Sequence, residues 1–204
     1  MATATWAHPG VVLEGERARL EPLRPEHEHD LREAAADPEV WRWLGEYPGD
    51  ERRFNAWMSA ALDRSAGGCE VAFATIDRAH GRAVGSSRLL AMSEQDRRLE
   101  IGWTWLGSAA WRTGLNVEAK LLMLEHAFGP LECVRVEFKT DARNARSRAA
   151  LEALPAQFEG IFRKHRIVPG VGQRDSAYYS LLDDEWPAVR ANLERRLTRG
   201  APDA

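Results

Sequence analysis

The chain has little cysteine. Cys69 and Cys133 are its only two in 204 residues, far apart and in no CxxC spacing. This excludes a disulfide framework and offers no zinc-ligand pattern. Long apolar runs are lacking as well: the uncharged stretch from Ile101 to Trp111 is too short to span a bilayer. Residues 1–15 show no basic segment leading into an apolar core, so no secretory leader is read there and a cytoplasmic protein is expected. Nor does one sign of charge dominate. With 28 Lys+Arg against 31 Asp+Glu the net charge is -3, which leaves no electrostatic footprint for duplex nucleic acid. Tyrosine is scarce, three against eight tryptophans, and no internal repeat or long linker divides the chain. What remains, 44% hydrophobic and 29% charged, suits one globular domain with a real core.

The periodicity reads as a mixed α/β (α+β) chain. Residues 17–23 alternate as a first strand, Pro25 opens a helix through Ala36, and Asp50 is placed to cap a second helix burying Phe54, Trp57, Met58, Ala61 and Leu62. Residues 70–76, 83–90 and 99–105 read as three strands of a meander, the last with Leu99, Ile101, Trp103 and Trp105 on one apolar row. A helix follows with Val117, Leu121, Leu124 and Phe128 on one face, stopped by Gly129-Pro130. Then come a strand at 133–138, a helix at 143–154, a closing pair of strands at 157–167 and 175–182, and a last helix from about Asp184. The order is that of one sheet flanked by helices.

One segment carries chemistry. Trp111-Arg-Thr-Gly-Leu-Asn116 lies between a strand and an amphipathic helix. A small-residue turn feeding a helix N-terminus points unpaired backbone N–H groups outward, an arrangement suited to a pyrophosphate. Gly114 would let a ligand approach the backbone, and Asn116 tolerates positive φ and can cap. Read alone, a turn with one glycine is more often only a turn.

The neighbouring residues shift that balance. The run Leu99-Glu-Ile-Gly-Trp-Thr-Trp-Leu106, then Trp111-Arg-Thr-Gly-Leu-Asn-Val-Glu-Ala119, then Asn144-Ala-Arg-Ser147 resembles the GNAT family of acetyl-CoA-dependent N-acetyltransferases, and within it the RimJ/RimL-like branch of ribosomal-protein N-terminal acetyltransferases. The likeness spans about residues 12–198 as a single domain, with 1–11 and 199–204 as flexible termini. It implies a mixed, mostly antiparallel sheet flanked by helices, and acetyl-CoA as co-substrate with no metal. The acceptor it implies is a primary amine, either a small molecule or a protein N-terminus. It calls for neither nucleic acid nor membrane, and a homodimer is compatible with it.

Residue by residue, the family's pyrophosphate loop, Gln/Arg-x-x-Gly-x-Gly/Ala, falls on Trp111, Gly114 and Asn116, with only the central glycine matching. Main-chain N–H groups of Arg112, Thr113, Gly114, Leu115, Asn116 and Val117 would hold the phosphates. Asn144 matches the pantetheine contact. Trp103, Thr104 and Trp105 fall on the bulged strand that offers a backbone N–H to the reaction's oxyanion. Glu100 sits at the position of the general base; as an arbitrary strand glutamate it would read as a solvated charge. Ser147 is the candidate proton donor to the leaving thiolate, because Leu151 stands where many members carry a tyrosine; otherwise Asn144 and Ser147 are a helix cap.

Trp41, Tyr47 and His165 are placed at the acceptor pocket, with core packing the rival reading for Trp41 and a solvated strand for His165. Leu154-Pro-Ala156 replaces the family's Leu-Gly-Phe, so the helix before it is expected to end without an αL glycine cap. A non-catalytic acyl-CoA-binding module of the same fold is the alternative from another class.

Overall fold

Strand-period and helix-period segments fold into one eight-stranded sheet with helices on both faces. The computed structural model describes residues 6–44, 51–168 and 172–199. Its elements run β1 (Leu13–Glu14), β2 (Ala18–Pro22), α1 (Glu28–Ala34), α2 (Glu51–Ala66), β3 (Val71–Asp77), β4 (Arg82–Ser93), β5 (Arg98–Leu106), α3 (Leu115–Phe128), β6 (Arg135–Asp141), α4 (Ala145–Ala153), β7 (Gln157–Val168), β8 (Gly172–Leu182) and α5 (Trp186–Arg199). The two-residue β1 has no counterpart in the periodicity, being too short to show one. The expected cap at Asp50 lies outside the described residues.

The sheet order is β1-β2-β3-β4-β5-β6-β8-β7. Every neighbouring pair is antiparallel except β5 with β6, whose parallel pairing covers only Arg98↔Arg135, Leu99↔Val136 and Glu100↔Glu137. A parallel neighbour needs a crossover, which α3 supplies. On one face, α3, α4 and α5 pack over Val71, Phe73, Leu99, Ile101, Val136 and Phe138. The opposite face carries α1 and α2 over Ala72, Ala74, Ile76 and Trp105.

The single apolar row expected along β5 does not hold. Leu99 and Ile101 face α3, but Trp105 lies in the α2-side core. The pairing of β5 with β4 steps from Arg88↔Gly102 to Ser86↔Trp105, so β5 carries one extra residue. Trp103 absorbs it at φ 50°. An inserted residue reverses every later side chain, because the strand period is two.

Two further expectations are corrected. Residues 1–11 are not uniformly a free terminus: Ala7 is buried and Trp6 packs against the α3-side core. At the end of α4 the Ala156 N–H reaches Leu151 O at 3.0 Å. That is a 6→1 closure with Pro155 in the place where glycine usually stands. The helix therefore closes in the glycine-type manner despite the proline.

The edge of the sheet is fixed by a buried charge. Glu118 on α3 accepts backbone N–H bonds from Glu16 (3.0 Å), Arg17 (2.7 Å) and Ala18 (2.5 Å). Arg17 in turn donates to Thr113 O (3.4 Å) and Leu197 O (3.1 Å), tying β2, the loop before α3 and α5 together. Truncating Glu118 would strand three donors without a charged acceptor. Glu118→Ala is expected to destabilise the protein by about 2–4 kcal/mol; a denaturant midpoint close to wild type would contradict this clamp.

Candidate functional site

Beyond Glu100↔Glu137 the strands β5 and β6 no longer pair, and a cavity of about 630 Å³ opens where they part. Its walls include Glu100 to Leu106 of β5, Phe138 to Thr140 of β6, the start of α3 and the start of α4. Splayed strands leave backbone N–H and C=O groups without ladder partners, so the cleft is lined by main-chain donors and acceptors as well as side chains.

The loop ahead of α3 is built for an anion. Arg112 (φ 62°) and Gly114 (φ 87°) both adopt left-handed backbone around Thr113, the alternation that turns successive N–H groups to one side. The helix ladder begins only with Glu118 N–H to Gly114 O at 3.0 Å. Among the described residues, no N–H from Arg112 to Val117 donates to a backbone carbonyl; Leu115 N–H makes one long contact, 3.4 Å, to Thr113 Oγ1. Gly114 is the N-cap and occupies the left-handed position. Asn116, expected there or as a cap, is instead the second residue of α3 and lines the cavity. Leu115 is buried, so only its backbone is available. The cradle fits a pyrophosphate by its donor set and by the φ values that shape it.

Trp111 donates its indole N–H to Leu106 O (2.8 Å), and its ring carries Arg146 4.2 Å above it. Across the cavity Asn144 caps α4 by accepting the Ser147 N–H at 3.1 Å. The Ser147 hydroxyl lines the cavity and no side-chain partner is found for it among the described residues.

Glu100 is almost fully buried and its Oε2 accepts from Lys139 Nζ at 2.7 Å. Burial pushes its carboxyl above the ordinary value, and the adjacent Lys139 ammonium only partly opposes this. A Cβ on Gly102 would stand 2.7 Å from Glu100 Oε1. The glycine two residues on, on the same face, is what leaves room for the carboxylate beside the bulge.

Thr104, just past the bulge, is not free. Its hydroxyl is 2.6 Å from Ser87 Oγ and accepts from Lys120 Nζ at 2.7 Å. Lys120 has no carboxylate partner among the described residues, and burial lowers its pKa to about 7. The sequence held a signal for it: Lys120 falls three residues after Val117 and four before Leu124, on the apolar face of α3.

The residues assigned to the acceptor pocket fare differently. Trp41 is 2% exposed, packs on Trp105 and Trp57 and donates to Ala35 O at 3.0 Å. It belongs to the α2-side core and not to the cleft wall; Trp43 lines the cavity in its stead. Tyr47 lies outside the described residues. His165 sits on β7 with its ring nitrogens 3.0 Å from Ser176 Oγ and 3.2 Å from the Tyr178 hydroxyl, outside the cavity lining. Lys139, Arg166 and Arg174, which line the cavity near Glu100, were not singled out from the sequence, since single cations on strands carry no pattern.

A bulged strand parting from a parallel neighbour, an N–H cradle at the following helix and a buried carboxylate in the cleft define an acyl-CoA-dependent acetyltransferase site. The chain belongs to the GNAT acetyltransferase family: the acetyltransferase (GNAT) domain matches residues 17–157. It is 27% identical over 176 residues to the uncharacterized N-acetyltransferase p20 of Bacillus licheniformis, which covers 86% of this chain and 98% of that one. A GCN5-related N-acetyltransferase from Brucella melitensis superposes with a TM-score of 0.85 at 33% identity, covering 92% of this chain and 86% of that one. Mycobacterium smegmatis RimJ in complex with CoA-disulfide shares the fold, with a TM-score of 0.78 at 19% identity over 95% of this chain and 97% of that one. No helix among the described residues is long and apolar enough to cross a membrane.

If the cradle holds phosphates, a side chain at Gly114 obstructs it and resists its φ. Gly114→Val is expected to weaken CoA binding at least about tenfold by calorimetric titration. Unchanged affinity would remove the loop from the site.

Proposed function

We propose that this protein transfers the acetyl group of acetyl-CoA to a primary amine by direct attack, in the manner of the RimJ/RimL-like branch, with Glu100 as general base. The observation that carries the reading is Glu100 itself: a buried carboxylate at the point where β5 and β6 separate, given space by Gly102 and lining the same cavity as the N–H cradle. The acceptor is a small amine or a protein N-terminus.

The chemistry follows from what these residues can do. An ammonium has no lone pair, so Glu100, directly or through a water, takes one proton to free the amine that then bonds to the thioester carbon. The second proton leaves the nitrogen to water as the tetrahedral intermediate collapses. Burial raises the proton affinity of Glu100 above that of a solvent-exposed glutamate, which makes it the better base, and the Lys139 ammonium opposes the rise. Backbone N–H groups at the bulge, between Gly102 and Trp105, face the developing oxyanion. As the C–S bond breaks, the Ser147 hydroxyl donates to the sulfur and is re-protonated from water. Asn144 orients the pantetheine arm with its amide while its oxygen holds the α4 cap. Lys120 steadies Thr104, and hence the bulge, through a short hydrogen bond.

Because the base must be ionised, kcat/KM against an amine should rise with pH through an acid limb placed above the usual glutamate range. Glu100→Gln is expected to lower kcat by about 100-fold or more, abolish that limb and leave the Kd for acetyl-CoA unchanged. A variant of full rate with the limb intact would sink the base assignment.

A further inference from the structure

The α2-side face of the sheet beside Glu100 holds a pair of arginines with no salt-bridge partner among the described residues. Arg166 on β7 and Arg174 on β8 are direct cross-strand partners. Like charges placed opposite one another on a sheet destabilise it unless something answers them. Arg174 is 8% exposed and its Nε is buried without a hydrogen-bond partner. Neither arginine makes a salt bridge or side-chain hydrogen bond among the described residues.

The carboxylates on that face are already engaged. Asp141 is held by Arg143 at 2.9 Å, Glu137 by Arg135 at 2.8 Å and Glu100 by Lys139 at 2.7 Å. Both arginines line the cavity, and both feel the Glu100 charge. Register puts Glu100, Lys139 and Arg174 on one face: Glu100 pairs with Glu137, Asp141 with Ser176 and Lys139 with Tyr178. Among the described residues of the lining, seven Lys and Arg side chains stand against one carboxylate, Glu100. The cradle between Arg112 and Val117 accounts for phosphates at the start of α3, on the helix that packs against the opposite face of the sheet. The excess positive charge beside Glu100 is left over.

The geometry points to an acceptor that carries a carboxylate of its own, clamped by Arg166 and Arg174 while its amine faces Glu100. This names the acceptor class and rests on the acetyl-transfer reading. Two planar guanidiniums on adjacent strands present forked donors to one carboxylate, and the buried Arg174 Nε gains the partner it lacks. An alkylamine without a carboxylate would leave both cations uncompensated, which disfavours it. Such an acceptor is either a free amino acid-like molecule or a peptide N-terminus with an acidic residue close behind it.

The test compares matched amines by release of CoA thiol. Glycine, β-alanine, γ-aminobutyrate and 6-aminohexanoate are set against methylamine, ethylamine, propylamine and pentylamine. Tripeptides with Asp or Asn at the second position stand in for a protein N-terminus. At least one carboxylated member is expected to exceed its neutral partner by about tenfold in kcat/KM, and which set shows the preference tells the two sources apart. In Arg166→Gln and Arg174→Gln the preference should fall below about twofold; Arg166 is exposed, so its variant serves if the Arg174 variant fails to fold.

In parallel, glutarate is titrated calorimetrically onto the CoA-loaded protein, where binding lost in the arginine variants and kept in Glu100→Gln supports the clamp without turnover. Turnover with no carboxylate preference in either set overturns the inference and spares the transfer reading. Arginine variants that weaken CoA binding while leaving amine selectivity untouched overturn it too, assigning the pair to the co-substrate. Glutarate binding without turnover of any amine upholds the anion clamp and sinks the transfer reading.

Discussion

The separation of β5 from β6 is the constraint on which the rest depends. Three parallel residue pairs hold the two strands together and then the ladder stops. The extra residue at Trp103 bends β5 where continued pairing would otherwise run, and it turns Trp105 into the α2-side core, where Trp41 and Trp57 hold it. The core thus locks the bend in place. A cleft formed this way has backbone donors on one wall, a helix N-terminus at its mouth and both sheet faces at its floor. Side chains from α3 and α4 enter from one face and those of Glu100, Lys139 and Arg174 from the other.

The electrostatics of the cleft follow from that arrangement. Unpaired N–H groups ahead of α3 and a surplus of cations among the described lining residues favour anionic ligands, and one buried carboxylate, Glu100, lines the same cavity. Its pairing with Lys139 sets two effects against each other: desolvation raises the proton affinity of the carboxylate, and the adjacent ammonium opposes that rise. Glu118, on α3, plays the opposite part. Saturated by three backbone N–H groups, it is structural, and it anchors β2 against the loop that carries Gly114.

Much of this was legible in the residues. Helical and strand periods gave the element order, because burial of one face imposes 3.6- and 2-residue repeats, and Leu99, Val117 and Leu124 obey them. The Gly114 turn and Glu100 stood out through spacing and family likeness. The bulge did not, since one inserted residue leaves the composition of 99–105 unchanged while reversing its later half. Trp41 was ambiguous for the same reason that tryptophan often is: it fills cores and lines clefts equally well. Lys120, Lys139, Arg166 and Arg174 gained meaning only when α3, β6, β7 and β8 were brought together around β5. Pro155 marked the end of α4 correctly, yet the closure uses the position a glycine would take.

The central claim is that the thioester is consumed where β5 and β6 part. A crystal structure with a non-hydrolysable acetyl-CoA analogue tests it most directly. The account expects the pyrophosphate on the N–H groups between Arg112 and Val117. It expects the thioester analogue between the Trp103 bulge and Ser147, and the Glu100 carboxylate one water or less from the space where an amine would attack. An analogue seated elsewhere, or a Glu100 sealed off from the thioester by its bond to Lys139, would contradict it.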